Sequence, residues 1–132
     1  MSVSVSEMSP LARDTILVVD DHKDGRESMQ ALLSREGYTV VTATNGSEAL
    51  RILYAGLRPC LILMDLMMPV MNGFEFREAQ LRDADLARIA FVAYSAVVDI
   101  PRDAQHLNAD GYLAKPSNSQ DVLSVVRRYC PV

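Results

Sequence analysis

The sequence predicts a single α/β domain, with a doubly wound, five-stranded parallel sheet and five helices on its two faces. Short apolar runs of strand length alternate along the chain with stretches whose apolar residues recur at i, i+3 and i+4. The runs are continuously apolar rather than alternating, which is typical of parallel strands buried on both faces. A chain of 132 residues is long enough for one such domain with a sizeable core.

Apolar runs at residues 16–19, 38–43, 61–64, 89–94 and 111–114 are the predicted strands. The first helix begins near Asp24 and Glu27, which have the spacing of a capping box, and it ends at Gly37. The second helix begins after Asn45 and ends near Gly56. Strand and helix patterns therefore alternate regularly through the first half of the chain.

The second half continues the alternation with weaker signals. A third helix begins at Gly73, although Arg77 and Gln80 interrupt its apolar stripe. A short fourth helix is predicted over residues 101–107, and the fifth begins after Ser117. The alternation indicates parallel strands joined by crossover helices.

Composition narrows the class of protein. Residues 1–13 are rich in serine and lack apolar periodicity, so we expect a mobile tail before a domain at residues 14–132. The net charge of −4, without a run of Lys or Arg, argues against a nucleic-acid surface. Apolar stretches are far shorter than the roughly 20 residues of a membrane helix, and the start lacks a secretory pattern. We therefore expect a cytoplasmic protein without a direct membrane or nucleic-acid partner.

The chain has two cysteines, Cys60 near the start of the third apolar run and Cys130 at the end of the last helix. Their spacing does not match a metal site. In a cytosolic setting we expect two buried reduced thiols rather than a disulfide.

Charged residues directly follow three of the predicted strands. Asp20 and Asp21 follow the first, Asp65 follows the third and Lys115 follows the fifth. Because the carboxyl ends of parallel strands meet at one edge, we expect these side chains to lie together. Clustered carboxylates repel one another unless a proton or cation intervenes, which favours a hard divalent ion such as Mg²⁺. Lys115 beside them would suit an anion, with phosphate the natural candidate.

These motifs resemble those of the receiver domain of bacterial two-component response regulators, over about residues 14–130. The resemblance rests on strand-end motifs in a fixed order, namely Asp20-Asp21, Asp65 with Pro69 and Gly73 at their spacings, Ser95-Ala96 and Lys115-Pro116. It implies a flavodoxin-like fold with strand order 2-1-3-4-5. It also implies a stand-alone domain of the single-domain type.

The resemblance assigns roles at the acidic site. Asp65 is implied to be the phosphoacceptor. Asp20, Asp21, Asp65 and the backbone carbonyl of Met67 are implied to hold Mg²⁺ or Mn²⁺. Lys115 is implied to pair with Asp65 and then with the phosphoryl group.

The resemblance also implies a switch. The hydroxyl of Ser95 and the backbone N–H of Ala96 would contact the phosphoryl oxygens, and Tyr112 would change rotamer on activation. The peptide bond between Lys115 and Pro116 is implied to be cis.

The implied function is a phosphoaccepting signalling switch rather than a conventional enzyme, although it catalyses its own phosphorylation and dephosphorylation. The donor would be the phosphohistidine of a sensor histidine kinase or of a histidine phosphotransfer protein. The surface formed by the fourth helix, fifth strand and fifth helix would then change and reach an unidentified downstream protein. We expect a monomer or a weak dimer.

Several alternatives remain open at this point. The chain could be a receiver fragment of a larger regulator or hybrid kinase, or a receiver fold that never takes phosphate. It could also be a magnesium-dependent aspartyl-phosphate phosphohydrolase of the haloacid-dehalogenase type, although Met67 stands where that family has a second Asp. His22 is interpreted as a solvated loop residue, since Mg²⁺ prefers oxygen ligands. Met67 and Val97 would flank the attacking water, and their apolar side chains predict a moderate to long phosphoryl lifetime.

Overall fold

The computed structural model describes residues 10–96 and 107–131. In that part of the chain the strands are β1 (Ala12–Val19), β2 (Thr39–Ala43), β3 (Pro59–Met64), β4 (Ala90–Ser95) and β5 (Gly111–Ala114). The helices there are α1 (Lys23–Arg35), α2 (Gly46–Tyr54), α3 (Gly73–Arg82) and α4 (Ser119–Tyr129), with a 3₁₀ turn at Leu86–Arg88. Among these described residues, no helix is long and apolar enough to cross a membrane.

The five strands form one parallel sheet in the order β2-β1-β3-β4-β5, which confirms the predicted fold class and strand order. Val19 at the end of β1 is in register with Met64 at the end of β3. Ser95 at the end of β4 is in register with Ala114 at the end of β5. The residues that follow these strands therefore emerge at one edge of the sheet.

The sheet divides the core into two layers. Along β1, Leu17 and Val19 pack with α2 and α3, whereas Ile16 and Val18 pack on the opposite face with α1 and α4. All six residues of β3 are buried. This burial on both faces explains why the strand sequences are continuously apolar.

The first strand begins at Ala12, four residues before the apolar run that predicted it. The N–H of Ala12 donates to the carbonyl of Arg58 at 2.7 Å, and the register with β3 shifts between Ala12 and Ile16. The strand carries exposed Arg13 and Asp14 inside this extension, so apolarity alone gave no signal for it. Of the segment 1–13 that was expected to be a mobile tail, residues 1–9 lie outside the described residues, whereas Ala12 and Arg13 belong to β1, so the domain begins earlier than predicted.

The predicted fourth helix falls almost wholly on residues that the structure does not describe. Of the predicted 101–107 segment only Leu107 is described, and it is helical and buried. The helix that was predicted as the fifth is therefore labelled α4.

The expectation of two reduced thiols is wrong in this structure, because Cys60 and Cys130 form a disulfide. Cys60 lies in β3 and Cys130 caps the end of α4, and both belong to the same layer of the core. Their Cα atoms are 5.7 Å apart, within the range that a disulfide spans. The two residues are separated by 70 positions, so only the packing of α4 on β3 brings them together.

Arg77 and Gln80, which interrupt the stripe of α3, are buried and hydrogen-bonded to one another. The guanidinium of Arg77 donates to the backbone carbonyls of Leu107 at 3.2 Å and Asn108 at 2.6 Å. It also lies 5.0 Å from the centre of the Phe91 ring. Burial lowers the pKa of Arg77, although a nearby carboxylate opposes the shift. Arg77 thus joins α3 to the segment that enters β5. Gln80 donates from Nε2 to the backbone carbonyls of Leu86 and Ile89, and so joins α3 to the segment that enters β4.

Candidate functional site

The carboxyl edge of the sheet positions the strand-end residues through its own hydrogen-bond ladder. The N–H of Asp65 donates to the carbonyl of Val19 at 2.9 Å, and the N–H of Lys115 donates to that of Ser95 at 2.9 Å. Each bond continues the parallel pairing one residue beyond a strand. The backbone of the loops is therefore fixed where the charged side chains begin.

Lys115 joins the two most buried carboxylates of this edge. Its Nζ lies 3.0 Å from Oδ2 of Asp20 and 3.0 Å from Oδ2 of Asp65. The two Asp side chains are only 4% and 6% exposed. Burial alone would lower the pKa of Lys115, but its hydrogen bonds to Asp65 and Asp20 and their negative charges outweigh burial and raise it. The lysine is consequently held in its charged form.

The remaining oxygens of these carboxylates accept bonds from the loop backbone. Oδ1 of Asp20 accepts from the N–H of His22 at 2.9 Å, and Oδ1 of Asp65 accepts from the N–H of Met67 at 3.1 Å. Both side chains are therefore held at each of their oxygens. The predicted carbonyl ligand, Met67, lies in the loop that Asp65 itself orders.

Two glycines let the following helices approach these loops closely. A Cβ atom at Gly25 of α1 would lie 3.0 Å from Oδ2 of Asp20. A Cβ atom at Gly73 would lie 2.8 Å from the side chain of Leu66 and 2.9 Å from its Cα. A side chain at either position would push a helix away from the acidic edge. This close approach explains the glycine eight residues after Asp65.

Asp21 is the third carboxylate of the edge. Its Oδ1 is buried and forms no hydrogen bond with any described residue, and it lies 3.2 Å from Nδ1 of His22. One ligand atom from each of Asp20, Asp21, His22 and Asp65 can be chosen so that all lie within 4.8 Å of one another. Lys115 pairs with Asp20 and Asp65 but not with Asp21, so the three carboxylates and this lysine together carry net negative charge. A buried oxygen without a partner and a set of hard donors both fit a divalent cation.

A cavity of about 440 Å³ opens beside the carboxylates. Its walls come from four loops and are formed by His22, Asp65, Met67, Ser95, Ala96 and Lys115. The cavity therefore brings together the predicted acceptor, the predicted hydroxyl and backbone donors, and the lysine. Val97, the other residue expected to flank the attacking water, lies outside the described residues.

The two residues of the predicted switch occupy different environments. Ser95 is fully buried at the end of β4, whereas Tyr112 in β5 is 47% exposed. Tyr112 is in register with Ala93 and does not line the cavity. The peptide bond between Lys115 and Pro116 is cis. The structure therefore places Tyr112 outward, beside the site rather than in it.

Two contacts at the site were not predicted from the sequence. The ring of Tyr94 lies 4.9 Å from Nζ of Lys115 and covers the lysine by a cation–π contact. Burial raises the pKa of Tyr94, although the charge of Lys115 opposes this. Arg26 donates to the backbone carbonyl of Asp20 at 2.8 Å. In the sequence Tyr94 is indistinguishable from an ordinary residue of the fourth strand. Its position directly before Ser95 is the feature that could have indicated a contact with the site.

A comparison with protein-family models matches residues 16–127 to the response regulator receiver domain. The chain belongs to this family. Receiver domains are signalling switches of two-component systems rather than conventional enzymes. They bind Mg²⁺ at an acidic pocket and interact with sensor histidine kinases or phosphotransfer proteins. Membership decides against the haloacid-dehalogenase interpretation.

Curated relatives of this receiver domain differ in length. It is 37% identical to an uncharacterized 14.6 kDa protein of Leptolyngbya boryana, covering 93% of this chain and 95% of that one. It is 30% identical to sporulation initiation phosphotransferase F of Bacillus subtilis, covering 92% and 98%. It spans only 44% of a probable transcriptional regulator of Guillardia theta, at 31% identity.

Solved receiver structures share the fold. The receiver domain of a signal transduction histidine kinase from Syntrophus aciditrophicus has a TM-score of 0.80 and 31% identity, with 89% of each chain covered. The response regulator TrrA of Thermotoga maritima, solved in complex with Mg²⁺-BeF, has a TM-score of 0.79 and 29% identity. That match covers 88% of this chain and 98% of the other.

Proposed function

We propose that this receiver domain takes a phosphoryl group from a phosphohistidine onto Asp65. The observation that carries the proposal is the pair of 3.0 Å contacts from Lys115 to Asp20 and Asp65. A lysine held between two buried carboxylates at the mouth of a cavity can neutralise an anion that arrives there. Ser95 and Ala96 line the same cavity and supply a hydroxyl and a backbone N–H.

The transfer is a displacement at phosphorus. An oxygen of Asp65 forms a bond to phosphorus, the P–N bond of the donor breaks, and its electron pair returns to the imidazole nitrogen. Lys115 then exchanges a carboxylate contact for a phosphoryl oxygen. Later, a water oxygen bonds to phosphorus and the P–O bond to Asp65 breaks, releasing inorganic phosphate and restoring the carboxylate. Most of the rate enhancement would come from the loop backbone, which positions the Asp65 carboxylate for attack on phosphorus.

Asp20, Asp21, Asp65 and the backbone carbonyl of Met67 would hold Mg²⁺ or Mn²⁺. The ion supplies charge neutralisation for the phosphoryl oxygens when it is bound. The orphaned Oδ1 of Asp21 supports this assignment, as does the Mg²⁺-BeF complex of the Thermotoga relative. The chain's own contribution is to hold the donor oxygens together at the cost of repulsion between them.

The output step would begin at Ser95. Its hydroxyl is drawn toward a phosphoryl oxygen, which leaves space that Tyr112 can fill by turning inward. The surface made by the 101–107 segment, β5 and α4 then changes. Tyr112 is exposed in the present structure, so it is available for such a movement. Arg102 and Gln105 of that segment lie outside the described residues.

The phosphodonor would be a sensor histidine kinase or a histidine phosphotransfer protein, with a downstream protein as the receiver of the signal. The Syntrophus neighbour is itself the receiver domain of a histidine kinase, which supports a phosphohistidine donor. Within this proposal the protein acts in the cytoplasm as a monomer or weak dimer. The 44% coverage of the Guillardia regulator supports the alternative of a receiver belonging to a larger regulator, whereas the 98% coverage of the Bacillus phosphotransferase supports a stand-alone domain.

Incubation with radiolabelled acetyl phosphate and Mg²⁺ tests the acceptor. We expect label on the wild type and none on Asp65→Asn. Asp24→Asn is the matched control, because Asp24 is an exposed carboxylate in the first turn of α1. Label that persists at the same site in Asp65→Asn would refute the assignment.

A second variant tests the switch separately from the chemistry. Tyr112→Ala should incorporate as much radiolabelled phosphate as the wild type, because Tyr112 does not line the cavity. Beryllofluoride and Mg²⁺ should shift fewer NMR resonances of β5 and α4 in this variant. Equal labelling with undiminished shifts would remove Tyr112 from the mechanism.

A further inference from the structure

We propose that His22 supplies a nitrogen ligand at the acidic edge, so that the site binds a transition ion of the Zn²⁺ or Co²⁺ class more tightly than Mg²⁺. The inference rests on the proposed metal site of Asp20, Asp21 and Asp65. It reverses the sequence interpretation of His22 as a solvated loop residue. Three features support the inference: the His22 ring lies beside the carboxylates, Oδ1 of Asp21 is buried without a hydrogen bond, and imidazole nitrogen binds transition ions well.

The backbone fixes where the His22 ring starts. His22 is the N-cap residue of α1, and its N–H donates to Oδ1 of Asp20 at 2.9 Å. N-cap side chains ordinarily accept a hydrogen bond from the first turn of the helix, but that of His22 does not. The ring is therefore not occupied by helix capping. It also lines the cavity that contains Asp65 and Lys115.

The ring nitrogen faces the acidic oxygens. Nδ1 of His22 lies 3.5 Å from Oδ1 of Asp20 and 3.2 Å from Oδ1 of Asp21. The oxygen of Asp21 is buried and yet forms no hydrogen bond with the ring or with any other described group. A buried acceptor without a donor is costly, and a bound cation would satisfy it. The nitrogen and the oxygens are thus placed as a donor set rather than as a hydrogen-bonded pair.

The mixed donor set determines the preference. Oxygen-only sites suit Mg²⁺, whereas imidazole nitrogen suits Zn²⁺, Co²⁺, Ni²⁺ and Cu²⁺. Adding one nitrogen to three carboxylates raises affinity for the second group without removing the oxygens that Mg²⁺ uses. The His22 side chain is 73% exposed, so the ring can adjust without disturbing the core.

Co²⁺ provides a direct readout because its visible absorption reports nitrogen and oxygen ligands. The full chain, stripped with a chelator and kept free of thiol reductant, is titrated with Co²⁺ and separately with Mg²⁺. Reductant is excluded because thiols from Cys60 and Cys130 would compete for the ion. We expect Co²⁺ to bind more tightly than Mg²⁺ and to show a nitrogen-dependent absorption band.

His22→Ser removes the ring and keeps a good N-cap residue. We expect its Co²⁺ affinity to fall by at least about tenfold, since loss of even an outer-shell partner costs a metal site about 10–100-fold. Its Mg²⁺ affinity should remain within about twofold, because Mg²⁺ binds through oxygen. His106→Ser is the matched control, because His106 is the other histidine of the chain. That variant should keep both affinities.

The outcomes separate this inference from the proposed function. Unchanged Co²⁺ affinity and spectrum in His22→Ser, with Mg²⁺ binding intact, would overturn the role of His22 and leave the phosphoryl site standing. Failure of wild type to bind either ion, or equal binding by Asp21→Asn, would overturn the metal site itself. An equal loss of both ions in His22→Ser would show that the residue only shapes the loop.

Discussion

The acidic edge holds three carboxylates, of which Lys115 contacts only those of Asp20 and Asp65, and the excess of negative charge makes the stability of the protein sensitive to cations. We expect Mg²⁺ to raise the melting temperature of the wild type. An ion at ten times its dissociation constant stabilises the folded state by about 1.4 kcal/mol, or about 5 °C for a domain of this size. Thermal unfolding with and without millimolar Mg²⁺ measures the effect.

Asp21→Asn should blunt the rise caused by Mg²⁺. The variant should also be more stable than wild type when no metal is present, because one of the repelling charges is gone. Asp24→Asn again serves as the control and should respond to Mg²⁺ like wild type. A full Mg²⁺ response in Asp21→Asn would contradict the place of this carboxylate in the site.

The backbone conformation of Val70 is expected to lower the stability of the folded protein. It lies in the loop after β3, is 80% exposed and has φ of 69°. A β-branched residue in the left-handed region is strained by roughly 1–2 kcal/mol, and glycine adopts that region freely. Val70→Gly should therefore stabilise the protein by about 1 kcal/mol in urea unfolding, after the added flexibility of the unfolded chain is counted. Val70→Ala keeps a Cβ atom and should gain less; an equal gain would point away from backbone strain.

The elements show how far the sequence predicts this fold. Continuous apolar runs predicted the strands of the sheet correctly, because strands that are buried on both faces consist almost entirely of apolar residues. The start of β1 was missed since Arg13 and Asp14 are exposed there, and their pairing depends only on backbone groups. The strand-end charges predicted the site because parallel register brings the residues after β1 and β3 together. The contact of Tyr94 with Lys115 depends on side-chain packing that one-dimensional patterns do not contain.

Arg77 gives a prediction for the attachment of α3. Arg77→Met removes donors from two backbone carbonyls and from Gln80, and leaves those acceptors buried. Losing buried partners costs about 1–3 kcal/mol, reduced by removal of a buried charge, so we expect a net loss of about 2 kcal/mol. Arg82→Met is the control, because Arg82 forms an exposed ion pair with Glu78 on the same helix. It should change stability by less than about 0.5 kcal/mol in the same urea titration. Equal losses in both variants would contradict a special role for the buried network.

At the scale of the whole molecule, the disulfide closes a long segment of chain. Cross-linking positions 70 residues apart restricts the unfolded ensemble by an amount worth about 4 kcal/mol in the chain-entropy model. Reduction should therefore lower the free energy of unfolding of the wild type by an amount of that order. Urea unfolding with and without a phosphine reductant measures it.

The double variant Cys60→Ala/Cys130→Ala is the control for reduction. It should start near the stability of the reduced wild type and show no response to reductant. A wild type that is equally stable in both conditions would mean that the bond contributes nothing in solution.

The disulfide lies in only one of the two layers of the core, where it ties α4 to β3. In the oxidised protein the C-terminal end of α4 stays tethered to β3 through Cys130, so the backbone amides of its last turn should exchange with deuterium mainly through global unfolding. Once the bond is reduced, α4 can open by itself, and its amides should exchange faster than those of the central strands. The helices of the opposite layer, α2 and α3, are not joined by the bond. The redox state of the solution would thus decide whether the domain opens as one cooperative unit or sheds its C-terminal helix first.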